Sequence, residues 1–301
     1  MLTHLSKQEL RPPRVAIVGV KGFVGSALRS TLEAGRMAVI PIGRPAVDLL
    51  EPECVDRLSM LWEPGDAVVV TAALTPDKGR DVAALIKNLR MAEHLASAIS
   101  KRPCSHLVYF SSDGVYDSSQ PVVTEATPAA PADLYGVMHL AREVVFREAA
   151  ARAGVPYCVL RPCAIYGAGN THNSYGPNRF IRSALAESRI RIFGAGEETR
   201  DHVYIGDVCN LTRLVLLHRS TGILNLISGQ AVTFGWIASE VARLVGGHVA
   251  IEQLPRGGPV THRRFDPAAA IEAFPGHKPM LLDVGLAISV AAARKSYGSP
   301  G

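Results

Sequence analysis

The segment Gly19-Val-Lys-Gly22-Phe-Val-Gly25 has the residue types and spacing to hold a phosphate. It follows the apolar run Val15-Ala-Ile-Val18 and opens a stretch of helical spacing. Glycines in that setting allow a tight turn, close backbone approach to a pyrophosphate, and close packing of helix on strand. Gly19, Lys21, Gly22, Phe23, Val24 and Gly25 are therefore candidate cofactor contacts. The spacing is Gly-x-x-Gly-x-x-Gly rather than Gly-x-Gly-x-x-Gly, and glycine triplets also make ordinary turns. Its place after the first strand of an alternating chain favours a dinucleotide. The end of the second strand tests which one. A carboxylate about 20 residues beyond the glycines would bind a ribose 2′-hydroxyl. Here that strand ends in Gly43-Arg44, and Lys21 lies inside the glycine loop. Two cations without a carboxylate favour a 2′-phosphate, hence NADP, with NAD still open; both cations could equally be solvated.

Other chemistries find less support. The five cysteines (Cys54, Cys104, Cys158, Cys163, Cys209) are odd in number, widely spaced and form no Cys-x-x-Cys. They suggest neither a disulfide framework nor a zinc site, which makes a reducing cytoplasm the expected location. No His/Cys/Asp grouping has metal spacing, so no metal is expected. Gly-x-Ser-x-Gly is absent, which leaves a serine hydrolase without an anchor. His94, His106 and His202 read as helix-surface or strand-end residues rather than ligands. The 301 residues carry a net charge of +5, and 25 of the 32 basic residues are Arg. Arginine suits phosphate recognition. The cations are scattered, without a block of like charge or aromatic interleaving, so nucleic acid is not an expected partner. No apolar run reaches the roughly 18 residues of a membrane span, and residues 1–14 lack the apolar core of a secretory signal.

Strands and helices must position these groups, and the pattern supplies both alternately. Strand-like runs fall at 15–19, 38–42, 66–72, 106–110, 157–160 and 222–229; helical spacing falls at 26–33, 83–100, 134–151 and 234–245. Alternation every 20–30 residues predicts an α/β, Rossmann-type doubly wound parallel sheet. Residues 1–13, polar and ending in Pro12-Pro13, read as a flexible lead-in. A dinucleotide-binding domain over 14–166, with 201–229 returning to it, leaves 167–200 and 230–301 for a smaller, interleaved substrate-binding lobe.

Further landmarks are Asp48-Leu49, Thr71-Ala72-Ala73, Asn88, Ser111-Ser-Asp-Gly-Val-Tyr116, Tyr135-Gly136, Leu160-Arg-Pro162, Tyr166-Gly167, and Arg200-Asp201 leading to Asp207. With the glycine loop, they resemble the extended short-chain dehydrogenases/reductases, the NAD(P)-dependent epimerase/dehydratase group, over about residues 14–290. Within it, Gly43-Arg44 through Asp48-Leu49 and Val115-Tyr116-Asp117 look most like dTDP-4-dehydrorhamnose reductases. The resemblance implies hydride transfer at a sugar carbon. A Tyr moves the hydroxyl proton, a Ser or Thr binds the same oxygen, and a Lys four residues after the Tyr lowers the Tyr pKa and holds the nicotinamide ribose. Tyr135 matches the acid/base and Ser112 the hydroxyl residue. Arg44, Asp48, Leu49, Thr71, Ala72, Ala73, Asn88 and Pro162, with Tyr135 and His139, match cofactor-binding positions. Asp113, Tyr175, Asn178, Arg200 and Arg256 match the substrate side, where two guanidiniums could grip a diphosphate. Members often dimerise through the helix bearing the Tyr and its predecessor, which implies a homodimer.

Position 139 departs from the pattern: the lysine is a histidine. Residues 135 and 139 share a helix face, but an imidazole with a reference pKa near 6.5 is mostly neutral at pH 7. His139 is then a working substitute, with a pH limb near 6–7, or a mark of weakened catalysis, or a plain cofactor contact. Gly114 stands where the group's dehydratases carry Glu and where its 3,5-epimerases carry Cys, which disfavours both reactions. Reduction of a keto-sugar or a 4-epimerisation remains, on a nucleotide-activated sugar. The alternatives are an NAD(P)-binding regulatory or scaffold protein, and a reductase of a non-nucleotide carbonyl. His172 and Tyr175 are loop residues that could donate a proton. Arg179, Arg263 and Arg264 could be solvated or paired with Asp266.

Overall fold

The structure is a computed structural model that describes residues 2–117, 119–170 and 173–298. The run Arg14–Val18 (β2) is apolar on both faces because it lies in the middle of a sheet; Val15 to Val18 are all essentially unexposed. Seven strands form that sheet: Thr3–His4 (β1), β2, Ala38–Ile42 (β3), Ala67–Val70 (β4), His106–Phe110 (β5), Tyr157–Pro162 (β7) and Ser220–Leu226 (β11). Their spatial order is β1-β11-β7-β5-β4-β2-β3, parallel throughout except β1 against β11. The chain leaves β2 for β3 on one side and then crosses to β4 on the other. That reversal opens a crevice beyond the carboxyl ends of β2 and β4, where open α/β sheets bind ligands.

Helices cover both faces. On one side Phe23–Ala34 (α1) packs Phe23, Leu28 and Leu32 into a core shared with Val208, Leu211 and Val215 of Ile205–Leu217 (α6). On the other, Met91, Leu95 and Ile99 of Val82–Lys101 (α3) meet Phe146 and Ala150 of Leu134–Ala153 (α4), with Leu58 of Cys54–Ser59 (α2) and Trp62 beside them. A third core holds the smaller lobe together. It gathers Phe180 and Ile181 of Pro177–Glu187 (α5), Ile190 and Ile192 of Arg189–Phe193 (β9), Ile237 and Val241 of Phe234–Val245 (α7), and Leu286 and Val290 of Leu282–Gly298 (α9). The strand Thr199–Tyr204 (β10) lies between Ala164–Tyr166 (β8) and Ala231–Thr233 (β12), and β9 pairs with Ala250–Leu254 (β13).

Three boundaries differ from the sequence expectation. The lead-in is not loose: Thr3 and His4 pair with Thr221 and Ser220, and the His4 ring contacts Ser220 Oγ and Ala273 O at 2.8 and 2.9 Å. A short polar strand of this kind carries no periodicity to announce it. The segment 264–274 does not belong to the smaller lobe's core. Arg264–Phe265 (β14) pairs with Val122–Val123 (β6), and Phe265, Phe274 and Ala270 of Ala268–Ala273 (α8) join the α1/α6 core. The last strand stops at Leu226, because Asp201 pulls 228–229 into a turn: its carboxylate accepts from Ser228 N, Ser228 Oγ and Gly229 N at 2.9, 2.7 and 2.8 Å.

Candidate active site

The glycine loop crosses the crevice at the end of β2. Gly19 has φ +97°, a left-handed conformation that favours glycine, and a Cβ there would lie 2.7 Å from Ala72 N. A Cβ on Gly25 would lie 2.3 Å from Gly19 O, so α1 begins directly against the loop. The cap of α1 is Gly22, with no side-chain cap and no acidic residue in the first turn. Its first N–H groups and the positive end of its dipole are thus available to an anion. Phe23 is buried in the core beneath, while Lys21 and Arg44 are exposed. Thr71 Oγ1 donates to Val18 O at 3.0 Å, which ties the 71–73 segment to the glycine loop.

Not every expected cofactor contact faces the crevice. Asn88 is buried under the 72–74 loop and its amide is fully engaged. Leu74 N donates to Oδ1 at 2.8 Å, and Nδ2 donates to Leu74 O and Ala84 O at 3.1 Å each. It shapes the loop that borders the crevice. Asp48 accepts from Leu50 N at 3.0 Å, Leu49 is buried in the α2/α3 core, and Pro162 closes β7 as a buried residue.

The catalytic candidates come from two elements pressed together. Ser112 follows β5 and caps a single 3₁₀ turn at 113–115, its Oγ accepting from Gly114 N at 3.1 Å. Asp133 caps α4 by accepting from Gly136 N at 2.8 Å. Glycine at 136 has a specific cause: a Cβ there would meet Gly114 O at 2.1 Å. That close approach brings Tyr135 alongside Ser112: a Cβ on Gly114, between them, would lie 3.4 Å from Ser112 Oγ and 3.6 Å from Tyr135 Cδ1, and the hydroxyl favours the phenol's anion. Burial works the other way and pushes the Tyr135 phenol up to about 12.

His139 follows one turn later. It is buried against Tyr135, ring centroids 4.6 Å apart and planes at 85°, with Nδ1 2.8 Å from Tyr109 Oη. Burial drives its pKa well below 6.5, and the Arg142 charge adds to this. Both effects favour the neutral ring, unlike the charged lysine of the family pattern. The layer behind is polar but closed: Glu143 and Arg161 pair at 2.6 Å, Ser111 Oγ donates to Glu143 at 2.5 Å, and Tyr116 Oη donates to Asn225 at 2.8 Å.

On the substrate side the structure rearranges the expected set. Asp113 meets Arg263, whose Nη1 lies 3.3 Å from Asp113 Oδ2 and 3.2 Å from Asp113 O. Burial still raises the Asp113 pKa, with Arg263 opposing. Arg263 was expected in solvent or with Asp266, and no local pattern distinguishes it, since the contact spans 150 residues. Arg200 donates to Thr199 O and Thr261 O at 2.9 and 2.8 Å and to Thr261 Oγ1 at 2.6 Å. Arg256 pairs with Glu197 at 2.5 Å and Glu198 at 3.4 Å. Tyr175 and Asn178 serve the smaller lobe itself. Tyr175 Oη accepts from Phe193 N at 3.0 Å and its ring packs on Phe180, Phe193 and Phe234; Asn178 accepts from Gly167 N at 3.2 Å. His172 lies outside the described residues. His94 and His106 bond Leu49 O and Ser220 O, each at 2.8 Å, while His202 is buried in β10.

The crevice suits a nicotinamide dinucleotide on three counts. The glycine cradle excludes any side chain, the α1 terminus is uncapped, and His139 Nε2 is buried without a partner. Among the described residues no three His, Cys, Asp or Glu are placed to hold a metal ion, and no helix is long and apolar enough to cross a membrane.

Known proteins share this fold. The structure of RMD from Pseudomonas aeruginosa complexed with NADPH is 27% identical, with a TM-score of 0.79 over 94% of this chain and 99% of that one. MoeE5 in complex with UDP-glucose and NAD is 25% identical, with a TM-score of 0.82 over 95% of this chain and all of that one. An uncharacterized UDP-glucose epimerase of Bacillus subtilis (strain 168), YtcB, is 25% identical over 211 residues, 68% of this chain and 66% of that protein. Residues 15–226 match the NAD dependent epimerase/dehydratase family, and the chain belongs to that family.

Proposed function

We propose that this protein is an NADP-preferring oxidoreductase or epimerase that exchanges hydride with a carbon, C4 in the simplest case, of a nucleotide-activated sugar. The observation that carries this reading is the meeting of Ser112 and Tyr135 at the mouth of the dinucleotide crevice, enforced by the contact of Gly136 with Gly114. A bound nicotinamide would supply or accept the hydride. Tyr135 passes the hydroxyl proton to or from the sugar oxygen, and Ser112 bonds the same oxygen. His139 stands at the cofactor ribose, and Lys21 and Arg44, exposed beside the glycine loop and the end of β3, favour a 2′-phosphate. The relative bound to NADPH and the one bound to NAD bracket the cofactor choice. UDP-glucose in MoeE5 supports the substrate class.

A second reading, reduction of a carbonyl without a nucleotide, draws on one observation. Arg200 and Arg256, the expected diphosphate ligands, are both bonded to the chain's own groups. Both readings are tested by offering NADPH or NADH with a panel of UDP-, GDP- and dTDP-keto-sugars and of simple ketones, and following nicotinamide absorbance. Tighter NADH than NADPH binding overturns the cofactor preference. Turnover of simple ketones alone selects the second reading.

A further inference from the structure

Below the Ser112–Tyr135 pair lies a cluster for which the acid/base assignment has no use. Tyr109 on β5 reaches His139 Nδ1 and has no other side-chain hydrogen-bond partner among the described residues. A phenol oxygen can donate or accept here, but a buried O–H with no other acceptor is left unsatisfied unless it donates. Donation makes Nδ1 the acceptor and puts the proton of the neutral ring on Nε2. That Nε2 is buried and unpartnered, and the ring carrying it stands against Tyr135. Tyr109 itself is 1% exposed and packs on Phe146, so its position is fixed by the core.

Arg142, one turn on from His139, is 0% exposed. It donates to Ala72 O at 2.7 Å and Asn88 Oδ1 at 3.3 Å, and lies 5.2 Å from the Tyr109 ring centroid and 5.7 Å from that of Phe146. It forms no ion pair among the described residues, and its neighbour Glu143 is committed to Arg161. A buried cation without a counter-ion is costly to keep. Tyr135, His139 and Arg142 stand at i, i+4 and i+7 on one stripe of α4. Arg142 lies over the Tyr109 ring that bonds His139, itself packed on Tyr135. The guanidinium therefore shares the buried layer of these two phenols and favours their anions against burial, which raises them. Of the two, Tyr135 alone stands beside Ser112. Asp113 and Asp133, facing Tyr135 from the 3₁₀ turn and the α4 cap, act in the opposite sense.

We propose that two tasks are divided between two side chains here: Tyr109 holds His139 as a neutral Nε2–H donor for the cofactor ribose, and Arg142 supplies the fixed positive charge that favours the Tyr135 phenolate. The ribose half rests on the dinucleotide reading above. The charge half does not. Tyr109 and Arg142 are positioning residues, since neither is placed to touch a substrate.

The tests use cofactor-free protein first. Nitrogen-15 spectra of the histidine rings at pH 7, assigned with His139→Gln, show His139 protonated at Nε2 and bare at Nδ1; a Nδ1–H ring or an imidazolium overturns the first half. Tyr109→Phe removes that preference and weakens NADPH binding by about tenfold, one good hydrogen bond's worth; unchanged tautomer and affinity overturn it. For the second half, a fluorinated tyrosine at position 135 brings the phenol titration into reach of fluorine NMR. Arg142→Met and Arg142→Gln raise its midpoint by about one unit or more, and Arg142→Lys restores it. The Gln variant retains an N–H donor for Ala72, so one variant remains if the other misfolds. An unmoved midpoint in a folded Met or Gln variant overturns the assignment of charge to Arg142. Wild-type protein that binds neither NADPH nor NADH overturns the functional reading and the ribose half with it, whereas the phenol titration stands or falls by itself.

Discussion

On the α4 side of the crevice, His139 Nε2 and Arg142 Nε are buried without partners. On the opposite side Arg200, Arg256 and Arg263 are each bonded to carbonyls, hydroxyls or carboxylates of the chain itself. An unpartnered buried donor is destabilising until something bonds it, so His139 Nε2, at the crevice, is prepared for a ligand that completes it, while Arg142 Nε lies too deep to meet one. The three guanidiniums are already satisfied. A ligand there must exchange existing bonds for its own, and each guanidinium contributes only the difference. The contrast predicts strong effects from α4-side changes and graded effects from arginine changes.

The largest effect is expected at Tyr135. Tyr135→Phe removes the proton donor and leaves the ring packed on His139, so kcat falls by about 10²–10⁴ while NADPH affinity measured by fluorescence stays close to wild type. A kcat within a fewfold of wild type would move the acid/base role to another group. Next comes the layer that holds the α4 side rigid. Arg161→Met strands the Glu143 carboxylate beside Ser111. Breaking one partner of a buried pair costs about 3–5 kcal/mol, read as the loss of unfolding free energy in urea. Adding Glu143→Leu should recover most of it.

Much of the α4 side was legible in the sequence because its determinants are local. The glycine loop, the Tyr135-Gly136 pair and the four-residue step to His139 each fall within a few residues of one strand end or helix start. The arginine side was not legible. The Asp113–Arg263 contact joins residues 150 apart, and Arg200 finds its partner 61 residues on. Nothing in a neighbourhood of ten residues marks Arg263 as different from Arg264. Asn88 shows the same limit: its position on α3 was readable, but the bonds of its amide to the 72–74 loop, from another element, were not. Arg142 had a usable signal, a charge on the helix stripe that also carries Met138, His139 and Phe146.

Acid should separate the buried histidines from the rest of the molecule. Burial lowers His106 and His202 to about 4 each, and lowers His139 well below 6.5 as well. A folded-state pKa below the unfolded value of about 6.5 means that the unfolded chain binds more protons, so stability is fully present above pH 6.5 and is lost as pH falls through the window from 6.5 to 4. At pH 5 each such histidine costs about 2 kcal/mol, seen as a falling midpoint in urea titrations between pH 7 and 5. His106→Gln, whose amide can still donate to Ser220 O, should flatten that fall by one histidine's share. An undiminished slope would mean that His106 is not the neutral donor assigned here.

The smallest effects test the arginine side and decide between the two substrate readings. Arg200 and Arg256 hold their present partners with unequal strength. Arg200 is half-buried and bonded to neutral groups, two carbonyls and a hydroxyl. Arg256 is paired with two carboxylates. A diphosphate offers Arg200 a charge-assisted bond in place of a neutral one, a gain, but offers Arg256 one ion pair in place of another, nearly an even exchange. With a nucleotide-sugar substrate, Arg200→Ala should therefore raise KM by about tenfold, on the order of 1.4 kcal/mol, with kcat little changed. Arg256→Ala should raise it less than threefold. Equal KM values in both variants and wild type would remove the diphosphate from this side of the crevice and leave the simpler carbonyl as substrate. A larger effect from Arg256 than from Arg200 would mean that ligand binding breaks the Glu197 and Glu198 pairs outright, a rearrangement of the 194–198 turn that existing hydrogen bonds alone would not favour.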